Sequence, residues 1–400
     1  MMKYDFTTII DRKGKDAIAI DIVDQEPIVV EDGFTPIPMW VADMNYATAP
    51  TIVEEIEKRL KHPLFGYFSP RKEYFDAIIR WQKNRNGVEG LTAESIGYEN
   101  GVLGCVASAL HAFTAPGEAV LLLSPVYVGF THCMEDNGRK IVTSDLVRDE
   151  NGIWRMDYAD MDAKIKANNI HCAIFCSPHN PSGRVWEREE IEKAMEVYRA
   201  NDCVVISDEI WSDLTLGEYQ HIPTQSVSED AKNRTIAIYA PSKTFSLAGL
   251  VGSYHIIYNR MLRDRVNKCA QSSHYNNMNV LSMYALIGAY RPEGEEWLEE
   301  LKQVLTKNVE YAYDYILKNW NGVTLSKPQG TYMLYLDCSQ WCKEHGKTID
   351  EVLAAGKRYG VIWQDGRPFF FPDSIRINLA VPFELVKEAF ERLNTYVFQA

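Results

Sequence analysis

The chain has 400 residues, of which 46% are hydrophobic and 24% charged, a composition typical of globular proteins that excludes low-complexity disorder and collagen-like repeats. This length exceeds what one hydrophobic core usually supports, so we expect two or three domains. Asp and Glu (55) outnumber Lys and Arg (42), giving a net charge of −13, which argues against a general nucleic-acid binder because phosphate binding needs surplus basic residues.

Membrane and export signals are missing from the sequence pattern. No run of about 18 apolar residues is present, so we expect no membrane span. The first twenty residues are charged throughout and lack the apolar core of a secretory signal. Eight cysteines are too few for a disulfide scaffold, and Cys172, Cys176 and Cys203 lie in apolar runs as reduced core residues would. The sequence therefore predicts a cytoplasmic protein.

The middle of the chain alternates apolar runs with helical patterns. The runs that predict buried strands are 119–124, 171–177, 203–207, 235–240 and 253–258. Between the second and third, residues 187–201 open with acidic side chains and then keep one apolar face, which is typical of a helix. Apolar strands alternating with helices indicate a mostly parallel sheet covered on both faces.

The pattern of predicted helices and strands changes near residue 291. The pattern from there predicts a long amphipathic helix at 291–320, a strand at 330–337, a helix at 348–359, a strand at 374–380 and a closing helix at 384–398. These elements indicate a smaller α+β domain, and the strand-poor first 45 residues are expected to pack against it. We therefore predict a large domain at 46–289 and a small domain formed by 1–45 and 290–400.

Polar side chains follow three of the predicted strands. Asn180, Asp208 and Lys243 come shortly after them, and ligands of open α/β sheets bind outside the carboxyl ends of the strands. A lysine beside a buried carboxylate suggests pyridoxal 5′-phosphate (PLP), because the amine forms a Schiff base and the acid keeps the pyridine nitrogen protonated. Taken singly, the lysine would be a solvated surface residue and the aspartate a helix N-cap. Their order and spacing favour the cofactor site.

Three further features meet the remaining needs of such a site. The backbone at Gly101, Val102 and Leu103 opens a helical stripe and could bind phosphate, although an ordinary capped helix explains it equally well. Tyr127 follows another strand and could stack on a flat ring, or be a core aromatic. Arg376 lies inside a strand and could bind a substrate carboxylate, or form a structural salt bridge.

The sequence does not support a metal site or three common enzyme motifs. Cys172, Cys176 and His179 resemble a metal cluster, but strand residues four apart are separated by about 13 Å, too far to share one zinc ion. The phosphate-loop, dinucleotide and hydrolase-elbow motifs are missing. We expect no metal site.

Six motifs together resemble a known family. SPHNPSGRVW, SDEIWSDL, APSKTFSLAGL and SIRINLAVP resemble fold-type I PLP-dependent enzymes of the aminotransferase class I/II superfamily. PMWVADMNYATAP, FGYFSPRKEYFDAIIRW and the PHNPSGRVW turn are similar to the cystathionine β-lyase/C–S lyase branch. The resemblance implies an α/β fold of that type, with a mostly parallel seven-stranded sheet between helices in the large domain and a smaller α+β domain.

The resemblance also implies roles for individual residues. Lys243 matches the Schiff-base lysine, Asp208 the pyridinium partner, and Asn180 the donor to the ring hydroxyl oxygen. The residues that would stack on the ring, hold the phosphate or bind the substrate are Tyr127, Gly101, Val102, Leu103, Ser242, Arg376 and Trp40. Tyr67 matches a tyrosine that reaches the phosphate from the neighbouring subunit, which implies a homodimer with shared active sites.

Two departures from the wider family bear on the activity. Val251 stands where related transaminases often carry a phosphate-binding arginine, and the lyase branch also tends to lack it. Trp211 stands where many relatives have Tyr or His against the ring oxygen, and an indole donates but does not accept.

The predicted activity is PLP-dependent α,β-elimination from cystathionine or cysteine S-conjugates, giving a thiol, pyruvate and ammonia. An aminotransferase acting on an L-amino acid is the first alternative. The second is a PLP-binding regulatory protein with little turnover. In each case the partner is a small amino acid, with no nucleic acid and no membrane.

Overall fold

The computed structural model describes residues 2–21 and 29–399. Its strands are β1 Ile37–Pro38, β2 Ile96–Glu99, β3 Ala119–Ser124, β4 Lys140–Asp145, β5 Val147–Arg148, β6 Trp154–Arg155, β7 Cys172–Cys176, β8 Val204–Asp208, β9 Thr235–Tyr239, β10 Ser253–Ile256, β11 Thr324–Leu325, β12 Met333–Asp337, β13 Val361–Ile362, β14 Gln364–Asp365 and β15 Ser374–Asn378. Its α-helices are α1 Ile18–Asp21, α2 Pro50–Leu60, α3 Lys72–Asn86, α4 Val102–Phe113, α5 Val128–Asp136, α6 Tyr158–Asn168, α7 Arg188–Ala200, α8 Glu229–Arg234, α9 Arg260–Ser272, α10 Val280–Ala289, α11 Pro292–Asn319, α12 Ser339–His345, α13 Ile349–Arg358 and α14 Phe383–Leu393.

A seven-stranded sheet organises the larger part of the molecule. Its strand order is β2-β10-β9-β8-β7-β3-β4, and β10 alone runs antiparallel to its neighbours. The five predicted strands of this region are all present, with ends that differ by at most two residues. The predicted fold class, a mostly parallel sheet between helices, is confirmed.

The alternation within β3 shows why both faces of this sheet are buried. Val120 and Leu122 pack into a core on the side of α4, while Leu121 and Leu123 pack into a second core on the side of α7. Successive side chains of a strand point to opposite faces, so a continuous apolar run fills two cores at once. Each fully buried large side chain of this kind contributes about 1.5–3 kcal/mol.

The helix predicted at 187–201 is α7, and local sequence explains both its start and its packing. The backbone N–H of Glu187 donates to Glu190 Oε2 at 2.8 Å, which satisfies a donor that the first helical turn would leave free. Ile191, Ala194 and Met195 are buried against the sheet. The predicted apolar face is therefore the face that packs.

A second, four-stranded antiparallel sheet has the order β11-β12-β15-β14. The 28-residue helix α11 contacts the segment that follows β15, where Asn308 Nδ2 donates to the backbone oxygens of Leu379 and Val381, both at 2.9 Å. The N-terminal part of the chain pairs with the same C-terminal region, because β1 and β13 form a separate two-stranded parallel sheet in which Ile37 lies opposite Val361. This arrangement agrees with the predicted smaller α+β part, and the exact domain boundaries stay a prediction. Over residues 2–21 and 29–399, no helix has the length and apolar character needed to cross a bilayer.

Candidate active site

Three parallel strands bring the polar residues of the sequence motifs to one cavity. β7, β8 and β9 are adjacent and parallel, so their carboxyl ends share one edge of the sheet. Asn180, Asp208 and Lys243, which lie at or just beyond those ends, line a cavity of about 320 Å³. The location agrees with the rule that open α/β sheets bind ligands outside their carboxyl edge.

Asp208 is a buried carboxyl with few donors. It is 3% exposed, and its Oδ1 accepts a hydrogen bond from the backbone N–H of Ile210 at 3.1 Å. Burial raises the pKa of Asp208 to about 7, although the Ile210 N–H and the charge of Lys243 both oppose the shift. A carboxyl in this state favours a cationic partner, because a nearby positive charge recovers the lost solvation of the anion.

Lys243 lies in the turn after β9, and its ammonium nitrogen donates to the backbone oxygen of Ala42 at 3.0 Å. Burial, assisted by the positive charge of Arg376, lowers the pKa of Lys243 to about 8, while Asp43 and Asp208 act in the opposite direction. The lowered pKa reduces the cost of releasing a proton near neutral pH. A neutral amine is the form that acts as nucleophile or base.

The first turn of α4 forms another wall of the cavity. Gly101 precedes the helix with φ +85°, a conformation that side-chain-bearing residues rarely adopt, and no side chain caps the helix start. The first-turn N–H groups, including those of Val102 and Leu103, are therefore left for an anion, which the helix dipole also favours. Ser242 lines the same cavity.

Two aromatic residues line the cavity as well. The Tyr127 ring packs closely over Gly129, where a Cβ would lie 2.5 Å from it, and meets Phe130 edge to face at 5.2 Å. Trp211 is almost fully buried and contacts the Tyr332 ring at 4.8 Å. Both rings are thus held by neighbouring side chains, as a stacking surface for a flat ligand requires.

Arg376 is a buried cation that contacts neutral acceptors. It donates to Asn180 Oδ1 at 3.0 Å, to the backbone oxygen of Trp40 at 3.3 Å and to the side chain of Gln364, and it lies 4.8 Å from the Phe369 ring. Its Nε is buried without a hydrogen-bond partner. Within the described chain, no carboxylate forms a salt bridge with it, so the structural salt bridge considered above is not found. Burying an unpaired cation is costly, which makes this a site for an anionic group.

Three of the residues named by resemblance do not line the cavity: Arg376, which contacts its wall at Asn180, and Trp40 and Tyr67. The indole N–H of Trp40 donates to the Ala19 backbone oxygen at 3.1 Å, and only its carbonyl reaches Arg376. Tyr67 is fully exposed in the single chain, within a segment whose side chains are almost all exposed. Their predicted roles stay predictions.

Sequence reasoning missed the loop at residues 40–45, although the motif containing it carried part of the resemblance. Ala42 accepts the lysine hydrogen bond, and Asp43 forms an ion pair with Arg12 and accepts from Ser246 Oγ at 2.9 Å. Backbone carbonyls give no residue-specific signal, so only Asp43, the one charged residue of the motif, could have indicated this contact.

One buried group of side chains has the composition of a metal site. Glu99, Cys105 and His255 are buried, with ligand atoms within 4.8 Å of one another. His255 Nδ1 and Glu99 Oε1 are only 2.6 Å apart, a direct hydrogen bond, whereas two ligands about 2.0–2.1 Å from one tetrahedral zinc ion are separated by roughly 3.3 Å. The geometry is that of a hydrogen-bonded pair, and the expectation of no metal site stays a prediction.

The eight cysteines are all free thiols. Cys172 and Cys203 are fully buried and Cys176 borders the cavity, where burial raises the pKa of its thiol. The prediction that these three are reduced core residues is confirmed.

Comparisons with known proteins place this architecture in a family. The chain belongs to the aminotransferase class I and II family, whose sequence profile matches residues 37–393. It is 36% identical to cystathionine beta-lyase PatB of Bacillus subtilis (strain 168) over 321 residues, 80% of this chain and 82% of the relative. It is 30% identical to protein MalY of Escherichia coli (strain K12) over 339 residues, 84% of each chain.

A solved structure shows the same fold. The crystal structure of cystalysin from Treponema denticola, which contains a pyridoxal 5′-phosphate cofactor, matches with a TM-score of 0.90 and 30% identity, covering 99% of each chain. The predicted superfamily is confirmed.

Proposed function

We propose that the protein is a PLP-dependent carbon–sulfur β-lyase that converts cystathionine or cysteine S-conjugates to a thiol, pyruvate and ammonia. The observation that carries the proposal is one cavity lined by Lys243 and Asp208, with the unpaired cation Arg376 in contact with its wall at Asn180. A lysine, a buried carboxyl and a carboxylate receptor together are what an amino-acid enzyme of this cofactor class requires.

The residues present fit the cofactor. Asp208, whose pKa is raised by burial, has spare acceptor capacity for a protonated ring nitrogen. The uncapped first turn at Gly101–Leu103, with Ser242, offers donors to a phosphate, and Tyr127 offers a ring face. When bound, PLP supplies an aldehyde for the substrate amine and a ring that delocalises the negative charge left at Cα.

Four side chains of the protein bind the substrate, move its proton and contact the cofactor ring. Arg376 binds the α-carboxylate, because its guanidinium is buried and contacts neutral acceptors within the described chain. Lys243, with its lowered pKa, removes the proton from Cα as a general base. Asp208 holds the proton at the ring nitrogen, and Asn180 donates to the ring hydroxyl oxygen. Loss of the Cβ–S bond releases the thiol, and one water molecule converts the remaining fragment to pyruvate and ammonia.

The same groups would serve an aminotransferase, so the reaction type needs its own support. The relative PatB is named a cystathionine β-lyase, and Val251 occupies the position where related transaminases often carry a phosphate-binding arginine. Incubating the purified protein with cystathionine decides the matter. Equal amounts of thiol and pyruvate without added 2-oxo acid support the lyase, 2-oxo-acid-dependent conversion supports the aminotransferase, and cofactor absorbance without turnover supports a binding role.

We also propose a homodimer with shared active sites. Leu64, Phe65, Tyr67 and Phe68 are all exposed in the single chain, a concentration of apolar surface that monomers rarely leave uncovered. A second copy covering this segment would bring Tyr67 towards the phosphate end of its partner's cavity. A measured solution mass of one chain would contradict the dimer.

Eight free cysteines are typical of a reducing compartment, and on that ground we propose a cytoplasmic location. The domain division at 46–289, with 1–45 and 290–400 forming the second unit, is likewise our proposal. Limited proteolysis that cuts near residues 45 and 290 would support it.

A further inference from the structure

The 40–45 loop contacts both of the cations on which the proposed reaction depends. The backbone oxygen of Ala42 accepts from Lys243 Nζ at 3.0 Å, and that of Trp40 accepts from Arg376 at 3.3 Å. The base and the carboxylate receptor come from different sheets and are distant in sequence. A single short loop therefore connects the positions of the two groups.

Asp43 holds this loop by its side chain. Its Oδ1 accepts from Ser246 Oγ at 2.9 Å, and its Oδ2 forms an ion pair with Arg12. Ser246 lies three residues after Lys243 and has φ +56°, an uncommon conformation for a residue with a side chain. The carboxylate thus fastens the loop to the turn that carries the lysine.

The same loop is also fastened to the strand that carries Arg376. Asn378 Nδ2 donates to the backbone oxygens of Val41 and Asp43, at 2.7 and 2.6 Å. Arg12 adds a second bond, from its Nη1 to Asn45 Oδ1 at 3.1 Å. Residues 5–13, which we call the N-terminal arm, are therefore tied to the active site through Arg12.

We propose that Asp43 is a positioning residue that clamps the 40–45 loop between Arg12 and Ser246, so that the N-terminal arm helps to align Lys243 with Arg376. This inference rests on the proposed function, because the proposed function assigns Lys243 and Arg376 their roles. The carboxylate has an electrostatic effect as well: Asp43 and Asp208 raise the pKa of Lys243, against burial and Arg376. The charged and titratable groups that face Asp43 itself are Arg12, Lys243 and the buried Tyr332.

The test compares Asp43→Asn, Ser246→Ala and Arg12→Gln with a matched control, Arg358→Gln. The control removes an exposed ion pair to Glu31, which also ties an N-terminal segment to the rest of the chain but does not touch the loop. We expect Asp43→Asn to lower kcat about tenfold to a hundredfold, because small misplacements of reacting groups have effects of this size. The other two variants should have smaller effects, and the control none.

Two readouts do not depend on turnover. In the loaded protein without substrate, the pH midpoint of the visible absorbance should fall by about 0.5–1 unit in Asp43→Asn, because removing a nearby negative charge disfavours the protonated form of the Lys243 Schiff-base nitrogen. In hydrogen exchange, Asp43→Asn and Arg12→Gln should each increase exchange in residues 40–45 and in the Ser246 turn, whereas Arg358→Gln should not. The double variant Arg12→Gln/Asp43→Asn should exchange little faster than Asp43→Asn alone, since both substitutions break the same clamp.

These outcomes separate the two proposals. If the wild-type protein releases no thiol but the variants still shift the absorbance midpoint and the exchange, the lyase assignment is wrong and the clamp stands. If exchange in the 40–45 loop is the same in Asp43→Asn, Arg12→Gln and the control, the clamp is wrong, whatever the reaction. Should Asp43→Asn fail to fold, Arg12→Gln and Ser246→Ala decide the question by the same exchange measurement.

Discussion

The two sides of the active site are built in different ways. On one side, Asn180, Asp208 and Lys243 follow adjacent parallel strands, so the sheet itself places their side chains at one edge. On the other side, the 40–45 loop contributes mainly backbone carbonyl groups, held by side chains from distant parts of the chain. Reactive side chains are thus placed by regular structure, while their fine alignment depends on irregular structure. Substitutions on the two sides should therefore differ in size and in kind.

The largest effect is expected at the sheet edge. Lys243→Ala should lower turnover by about a thousandfold or more, because it removes both the group that binds the cofactor covalently and the general base. The visible absorbance of the lysine-bound cofactor should disappear, while far-ultraviolet circular dichroism stays unchanged. Turnover at the wild-type rate would show that Lys243 has been assigned wrongly.

Asp208→Asn should rank next, with a loss of about a hundredfold or more in kcat, because the ring nitrogen loses the carboxylate that keeps it protonated. The cofactor-free protein offers an independent check. Its folded Asp208 has a pKa raised from 3.8 to about 7, so between these values the folded state binds more protons than the unfolded state and stability falls as pH rises.

Between pH 5 and pH 8 the cofactor-free wild type should therefore lose about 3 kcal/mol of unfolding free energy that the cofactor-free Asp208→Asn protein does not lose. Urea unfolding at the two pH values measures this. An identical pH dependence in both proteins would contradict the unpaired, buried carboxyl described here.

Arg376→Lys should raise KM about tenfold to a hundredfold with a smaller change in kcat, because an ammonium group lacks the fork that binds a carboxylate through two bonds. Gln364→Glu gives a matched comparison in which the arginine stays in place. Its new carboxylate would pair with Arg376 and compete with the substrate, so KM should rise again. An unchanged KM in both variants would mean that another cation binds the substrate.

Tyr67 tests whether the site is completed by a second chain. Tyr67→Ala should weaken cofactor binding moderately. At a cofactor concentration that leaves this variant largely unloaded, mixing it with Lys243→Ala under subunit exchange should restore about a quarter of wild-type activity, since half of the dimers are hybrids with one intact site each. Activity no higher than the sum of the two separate variants would contradict shared active sites.

The smallest expected effect concerns strain at the cavity wall. Val251 has φ +47°, a genuine outlier for a β-branched residue, so Val251→Gly should stabilise the protein by about 1 kcal/mol. Val147, equally exposed but within β5, provides the control, and Val147→Gly should destabilise by roughly 0.5–1 kcal/mol. Equal urea midpoints for the two variants would refute the strain.

The difference between the two sides also explains what the sequence could predict. The apolar runs that end before Asn180, Asp208 and Lys243 predicted the sheet, its carboxyl edge and the residues on that edge. This was possible because residue types determine both the strand pattern and the chemistry of the side chains. The pairing of Lys243 with the Ala42 carbonyl was not predictable, since any residue supplies a carbonyl and no periodicity brings the two segments together. Trp40 was predicted to lie near the substrate; in the structure its backbone oxygen accepts from Arg376, and its indole N–H donates to the backbone oxygen of Ala19.

The pairing of Ile37 with Val361 has a consequence for how the protein is made. Ile37 is synthesised long before Val361, so β1 has no strand to join until the chain has been made as far as β13. The sheet from β2 to β10 lies wholly between them and has all its strands available much sooner. Arg12 and the 40–45 loop are therefore expected to reach their final places only after β13 has been made, which makes docking of the N-terminal arm a later step in acquiring activity than formation of the large sheet.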